Sequence, residues 1–236
     1  MKDAMSIRRL FSTYDKANHS TIYIIVKAIL LFIVLSICVR IFMGICYSLL
    51  PSDMTCDVST PAEERTINGI KTFSIRAWGA VVVIGPMMEE LAYRLWLSMK
   101  KIHVAISSAF FLYYILGFVL AGDVQNRMTT AVISAILSLS VALLVYHLVS
   151  EDSLQNIKNN NTVYPFVVLS GCIIFALAHL TNYLINPSVL LWALVSCLPQ
   201  LVGGISMSYL RINVGFLFGL LFHCVINLLS CCITIL

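Results

Sequence analysis

Gly85-Pro86-Met87-Met88-Glu89-Glu90-Leu91-Ala92-Tyr93-Arg94 lies inside an apolar stretch of membrane length, residues 77–98. Of the eleven carboxylates in the chain, Glu89 and Glu90 are the two that fall within such a stretch, side by side. Leaving an ionised side chain near a bilayer midplane costs roughly 2.5–3.5 kcal/mol even on the lenient insertion scale. A chain tolerates two adjacent ones when they are paired, hydrated or used. The same stretch supplies a cation one turn later, Arg94, and two later apolar stretches each carry a central histidine, His179 and His223.

Outward from that stretch, composition agrees with a membrane setting. The chain has 236 residues, 60% hydrophobic and 11% charged, with a mean hydropathy of +0.94. A soluble domain carries about a quarter charged residues. The expected class is therefore an all-α, polytopic transmembrane helix bundle. A net charge of +4 needs no nucleic-acid partner, because a cytoplasmic excess of Lys and Arg accounts for it. The glycine-rich phosphate loop and the basic run interleaved with aromatics are both missing from the sequence. Seven of the eight cysteines fall in apolar stretches, where Cys acts as a small hydrophobe. With no CxxC pair, neither a thiolate metal cluster nor a disulfide framework is expected.

Apolar stretches of about twenty residues predict seven spans: 21–50, 77–98, 103–121, 129–149, 165–184, 188–210 and 213–235. The first is too long for a cleavable signal and reads as a retained anchor, with Lys27 snorkelling toward one end. The polar connection 51–76 predicts a surface helix after Pro61. The whole chain, 1–236, reads as one integral membrane domain: an N-terminal anchor and connection over 1–76, then a core over 77–236. With the N-terminus inside, Lys2, Arg8, Arg9, Lys16, Lys100, Lys101, Lys158 and Arg211 face the cytoplasm, against Arg65, Lys71, Arg76 and Arg127 outside. That bias favours a cytoplasmic N-terminus.

The polar residues of the spans form a pattern. Gly85-Pro86 kinks or starts a helix just before the acids and frees backbone groups that must find partners nearby. Glu90 and Arg94 are i, i+4, on one helix face, so Glu90 is expected to be neutralised within its own helix. Glu89 is rotated about 100° from it and has no basic residue at i+4. A carboxylate in an apolar site can work as a general base near neutral pH. His223 and Asn227 are again i, i+4, projecting imidazole and amide from one face. An acid, two imidazoles and an amide could activate a water and polarise a carbonyl, with or without a metal.

Each piece also has a plainer reading. Glu90 with Arg94 could be a structural salt bridge, either histidine an interhelical hydrogen-bonding group, and Asn227 packing glue of the same kind. His147 reads as interfacial, while His19 and His103 flank spans. The combination argues for more, because nearly all strongly polar side chains of the later spans fall into these three places.

Taken in order, Glu89-Glu90-xxx-Arg94, Phe175-xxx-His179 and His223-xxx-Asn227 resemble the three motifs of the CPBP family. These are the CAAX-protease and bacteriocin-processing intramembrane endopeptidases, also called the Abi family. The resemblance runs from Glu89 to Asn227 and matches at every motif position. It implies a helical membrane protease with its site in an intramembrane cavity. Glu89 would activate water with help from His179. His223 and Asn227 would bind the developing oxyanion, and Glu90 with Arg94 would form the supporting pair. Glu89, His179 and His223 could also make a three-ligand open metal site, so a divalent metal such as zinc is allowed rather than required.

Three functions compete. A peptide endoprotease would act on a membrane-associated peptide or protein, and the short chain with sparse loops suggests a bacterial plasma-membrane member working in peptide processing or bacteriocin self-immunity. A non-catalytic scaffold or immunity protein would keep the fold and bind a peptide or sensor partner. A transporter would use Glu89 as a proton relay, a reading lowered by the lack of visible repeat symmetry. Lipid and a peptide substrate are the expected partners; nucleic acid is not.

Overall fold

The structure, a computed structural model, describes residues 10–11, 19–51, 60–119, 127–183, 187 and 189–235. Lys2, Arg8, Arg9 and Lys16, on which the expected orientation leans, lie outside them, as does Cys56. The described residues are helical nearly throughout, the expected all-α class.

Their helices are α1 (Thr21–Leu49), α2 (Pro61–Lys71), α3 (Ile75–Tyr93), α4 (Lys101–Val119), α5 (Arg127–Leu148), α6 (Glu151–Asn159), α7 (Val163–Ala178), α8 (Leu190–Ser196), α9 (Leu198–Asn213) and α10 (Phe216–Ile235). A 3₁₀ turn over Leu95–Ser98 follows α3, and another over His179–Asn182 extends α7. Five helices are long and apolar enough to cross a membrane, or six if α2 and α3, which meet at 112°, are one broken span. Helix α4 is a shorter apolar helix, described as such over Lys101–Gly117. The expected second span starts and ends earlier than its apolar run suggests, because the chain leaves α-helical geometry at Arg94 (φ −135°) and tightens into the 3₁₀ turn.

Polarity is distributed the wrong way round for water. Ile33, Ile37, Ile41 and Ile45 of α1 and Ile136, Leu139 and Leu143 of α5 are exposed, while Glu90 and Arg94 are fully buried. An apolar exterior around a buried ion pair is the arrangement that a hydrocarbon solvent selects. The chain is an integral membrane protein by this evidence.

The chain divides into two compact units, Met1–Ser12 with Met87–Val168, and Thr13–Pro86 with Leu169–Leu236. In the first, α4 and α5 pack against each other. The side of α5 that is buried carries Ser134 and Ser138, one turn apart. Small residues let two backbones approach where lipid supplies no hydrophobic drive between helices. Helix α6 is the amphipathic connector: Ser150 caps its start, and Gln155 and Lys158 donate to the Met99 and Ser98 carbonyls at 3.1 Å each. Those are backbone acceptors left over where the 3₁₀ turn ends, and α6 satisfies them.

In the second unit α9 is the central helix, packed on α1 and α10. Gly203, Gly204, Ser206 and Ser208 are buried along it, the small-residue seam again. Lys27 of α1 lies 5.3 Å from the Tyr209 ring centroid, so the cation that the sequence places in a membrane stretch is held over an aromatic face. The surface helix expected after Pro61 is α2. Thr60 caps it, and Trp78 of α3 donates its indole N–H to the Ile70 carbonyl at 3.2 Å.

Candidate active site

The kink expected at Gly85-Pro86 takes a specific form. Residues Ala80–Ile84 of α3 are a π turn, and the Gly85 N–H donates to the Ala80 carbonyl, five residues back. A Cβ on Gly85 would sit 3.0 Å from that same Ala80 oxygen, so the wide turn closes most easily around glycine. The Val81 carbonyl thereby loses both of its helical donors. In an α ladder it would take the Gly85 N–H, now spent on Ala80. In a π ladder it would take the N–H of residue 86, which proline lacks. Asn227 of α10 fills the gap: its side-chain amide donates to the Val81 carbonyl at 2.9 Å.

Beyond the kink, Glu90 and Arg94 make the pair that their spacing predicts. Arg94 Nη1 lies 2.6 Å from Glu90 Oε1, with both side chains withdrawn from the surface. Such a charge-assisted bond is among the strongest a helix can make internally. Ser107 of α4 shares its hydroxyl between the Leu91 and Ala92 carbonyls, at 2.6 and 2.8 Å, and so pins the end of α3. Glu89 is half-buried. Its charge is felt by two phenols, Tyr93 one turn along α3 and Tyr114 on α4, whose ring centroids are 6.2 Å apart.

In the second unit two histidines from different helices gather around one aromatic ring. Phe175 meets His179 edge-on with centroids 4.9 Å apart, and His223 of α10 edge-on at 6.2 Å. Phe175 and His223 are buried, whereas His179 is half-buried. His179 Nδ1 lies 2.9 Å from the Phe175 carbonyl. A carbonyl only accepts, so Nδ1 carries the proton, and in the neutral ring Nε2 is left as an acceptor. This is the tautomer that a water-activating imidazole requires.

Helix α2 adds a residue that sequence reasoning passed over. Thr60-Pro61-Ala62-Glu63 has the spacing of a capping box, in which the threonine hydroxyl takes the N–H three residues on and the glutamate reaches back to the threonine N–H. The first half is made, Glu63 N–H to Thr60 Oγ1 at 3.3 Å. The second is not, because the Thr60 N–H donates to the Asn182 carbonyl at 2.9 Å. The Glu63 carboxyl is left half-buried, within electrostatic reach of His179. Burial pushes it above the usual carboxylate range, and the His179 charge draws it partly back.

Tyr93 and Tyr114 were also missed. Tyr93 had a signal, its i+4 spacing from Glu89; Tyr114 had none, since only the packing of α4 brings it near. His103 hydrogen-bonds Ser98 at 2.7 Å, His147 meets Tyr146 edge-on, and His19 lies tilted against Tyr23.

Among the described residues no three His, Cys, Asp or Glu side chains gather as a metal-ligand set. None of the family models matches the chain, and neither a curated protein nor a solved structure does.

Proposed function

We propose that the chain is an intramembrane endopeptidase of the CPBP type, hydrolysing a peptide bond of a membrane-associated peptide or protein. The observation that carries this reading is the pair of imidazoles, His179 and His223, brought around Phe175 from two helices with the His179 tautomer fixed. A membrane-embedded scaffold has no need to hold an imidazole with Nδ1 committed and Nε2 available.

In the reaction that the resemblance implies, a carboxylate takes a proton from water with an imidazole Nε2 as a second acceptor, the parts that the motifs give to Glu89 and His179. The resulting hydroxide adds to the scissile carbonyl carbon. The oxygen of that carbonyl gains the negative charge and is met by an N–H of His223. Collapse of the tetrahedral intermediate breaks the C–N bond, and the proton held by Glu89 passes to the leaving amine. Glu90 and Arg94 hold α3 so that Glu89 keeps its place. Asn227, assigned to the oxyanion by the resemblance, spends one amide hydrogen on Val81 and serves first to secure the kink. The proposed setting is a bacterial plasma membrane with the N-terminus in the cytoplasm and a role in peptide processing or bacteriocin self-immunity.

The test pairs purified full chain with Glu89→Gln and His179→Ala in a peptide-library cleavage assay, with and without chelator. Cleavage by the wild type alone, insensitive to chelator, is the expected result. Cleavage lost on chelation would move His179 and His223 into a metal site. A folded wild type that cleaves nothing, with a cellular phenotype surviving Glu89→Gln, would instead support a non-catalytic immunity scaffold.

A further inference from the structure

Helix α1 carries two cations within its apolar run, Lys27 and Arg40. Lys27 is held over the Tyr209 ring of α9. Arg40 is exposed, and among the described residues it has neither an ion pair nor a hydrogen bond. Its depth follows from the aromatic residues near the two ends of the helix. Tyr23 and Tyr47 are both exposed, and Tyr47 lies against Trp192 with ring centroids 5.9 Å apart. The helix between the two tyrosines rises about 36 Å, which is a hydrocarbon layer of about 30 Å with an aromatic residue in each interface. On that scale Arg40 sits about 8 Å past the middle of the bilayer and about 10 Å short of the interface at Tyr47. Helical side chains lean toward the N-terminus. That lean carries Lys27 toward its own interface but starts Arg40 toward the midplane, away from the nearer headgroups.

The side of α1 that meets its own bundle is a different one. Ile24 and Ala28 are its buried residues, and Phe32 meets Phe222 of α10 edge-on at 5.6 Å. Arg40 belongs instead to a row of exposed residues, Ile33, Ile37, Arg40 and Gly44, at alternating steps of four and three. A Cβ on Gly44 would meet no atom within 4 Å. Such a row is the seam along which one helix packs on another. A glycine lets the backbones approach, and a single polar residue in the seam sets register and partner.

We infer that this face of α1 is a docking surface for a membrane-spanning helix of another protein, one that carries a carboxylate opposite Arg40. Charge complementarity chooses the occupant. A second copy of the chain paired through the same face would set Arg40 against Arg40. A lipid phosphate would have to be reached against the lean of the side chain. A carboxylate on a facing helix meets the guanidinium at its own depth and suits its two-pronged geometry. Each charge then relieves the other of its isolation in hydrocarbon. The inference stands apart from the peptidase reading and gives the anchor helix, which lies outside the three motifs, a protein partner.

The experiment places the labelled full chain in phosphatidylcholine vesicles with a labelled Leu/Ala transmembrane peptide of about 23 residues, bearing either Asp or Leu at its centre. Association is read by energy transfer. Wild type is expected to bind the Asp peptide about tenfold tighter than the Leu peptide, and Arg40→Leu to bind the two alike. Gly44→Ile should weaken binding of the Asp peptide while the protein stays folded, because the position is open on its own chain. Arg40→Leu should also keep the wild-type thermal midpoint in detergent. Equal affinity of the wild type for the two peptides overturns the inference. A lowered midpoint in Arg40→Leu overturns it as well, by making Arg40 a residue of the fold. Phosphatidylglycerol added to the vesicles separates the remaining source of negative charge: if it abolishes the preference for Asp, a lipid phosphate is the occupant and the protein partner is dismissed.

Discussion

The side-chain amide of Asn227 donates to the backbone carbonyl of Val81 at 2.9 Å, across 146 positions of sequence. The bond exists because a π turn and a proline together strip that carbonyl of both its possible helical donors. Inside a membrane no water can substitute, so the missing donor must come from another helix. Asn227 thus ties the helix that carries one imidazole to the kink that precedes the two glutamates.

Removing the amide should therefore be felt as lost stability. Asn227→Ala leaves a buried acceptor without a donor, a loss of about 1–3 kcal/mol, read as a lower thermal midpoint in detergent. Pro86→Ala should restore part of it, because residue 86 regains the N–H that a π ladder aims at Val81. A double variant no more stable than Asn227→Ala alone would show that the proline is not what orphans the carbonyl.

Gly85→Ala tests the turn itself. The added methyl would meet the Ala80 carbonyl oxygen at 3.0 Å, a backbone atom with little room to retreat. The simplest relief is for the π turn to revert to α geometry, which rotates everything after it by about 100°. Glu89 and Tyr93 would turn together and leave their position beside Tyr114 of α4. Cleavage should fall well beyond what the modest destabilisation explains, and comparison of activity with thermal midpoint separates the two effects.

The two adjacent glutamates should behave differently. Glu90→Gln or Arg94→Ala breaks a fully buried pair and strands one charged or polar partner, at a cost of about 3–5 kcal/mol. Folded protein recovered from the membrane should drop. Glu89→Gln keeps a hydrogen-bonding side chain of the same size at a half-buried position and should yield folded, inactive protein. Equal losses of folded protein in all three variants would dissolve this division of roles.

These contrasts show what the sequence could disclose. The Glu90–Arg94 pair, the kink at Gly85-Pro86 and the helix after Pro61 were legible because each depends on residues within one turn, where spacing fixes geometry. Span boundaries were less so: the apolar run continues through Trp96, and only the backbone departure at Arg94 ends the helix. The role of Asn227 was hidden, since i, i+4 spacing from His223 suggested a shared site and said nothing of a carbonyl on another helix. Glu63 was hidden for the opposite reason. Its capping-box spacing gave it a sufficient local duty, and a distant carbonyl, Asn182, took that duty away.

Phe175 supplies the last prediction, because its ring meets both histidine rings. Its own side chain is buried, while its backbone carbonyl fixes the His179 tautomer. Phe175→Ala would open a cavity costing about 3–5 kcal/mol and so confuse folding with function. Phe175→Leu nearly conserves volume and should cost under about 1.5 kcal/mol, with the Nδ1 bond to the backbone retained. What leucine cannot supply is the aromatic ring that makes the two T-shaped contacts with the imidazoles. His179 keeps its backbone anchor in this variant, so the change falls on the ring contacts of the two histidines. We therefore expect Phe175→Leu to fold with a nearly unchanged thermal midpoint and to lose cleavage mainly in kcat. Full activity in this variant would mean that the ring merely fills space, and that the two histidines are positioned by other contacts.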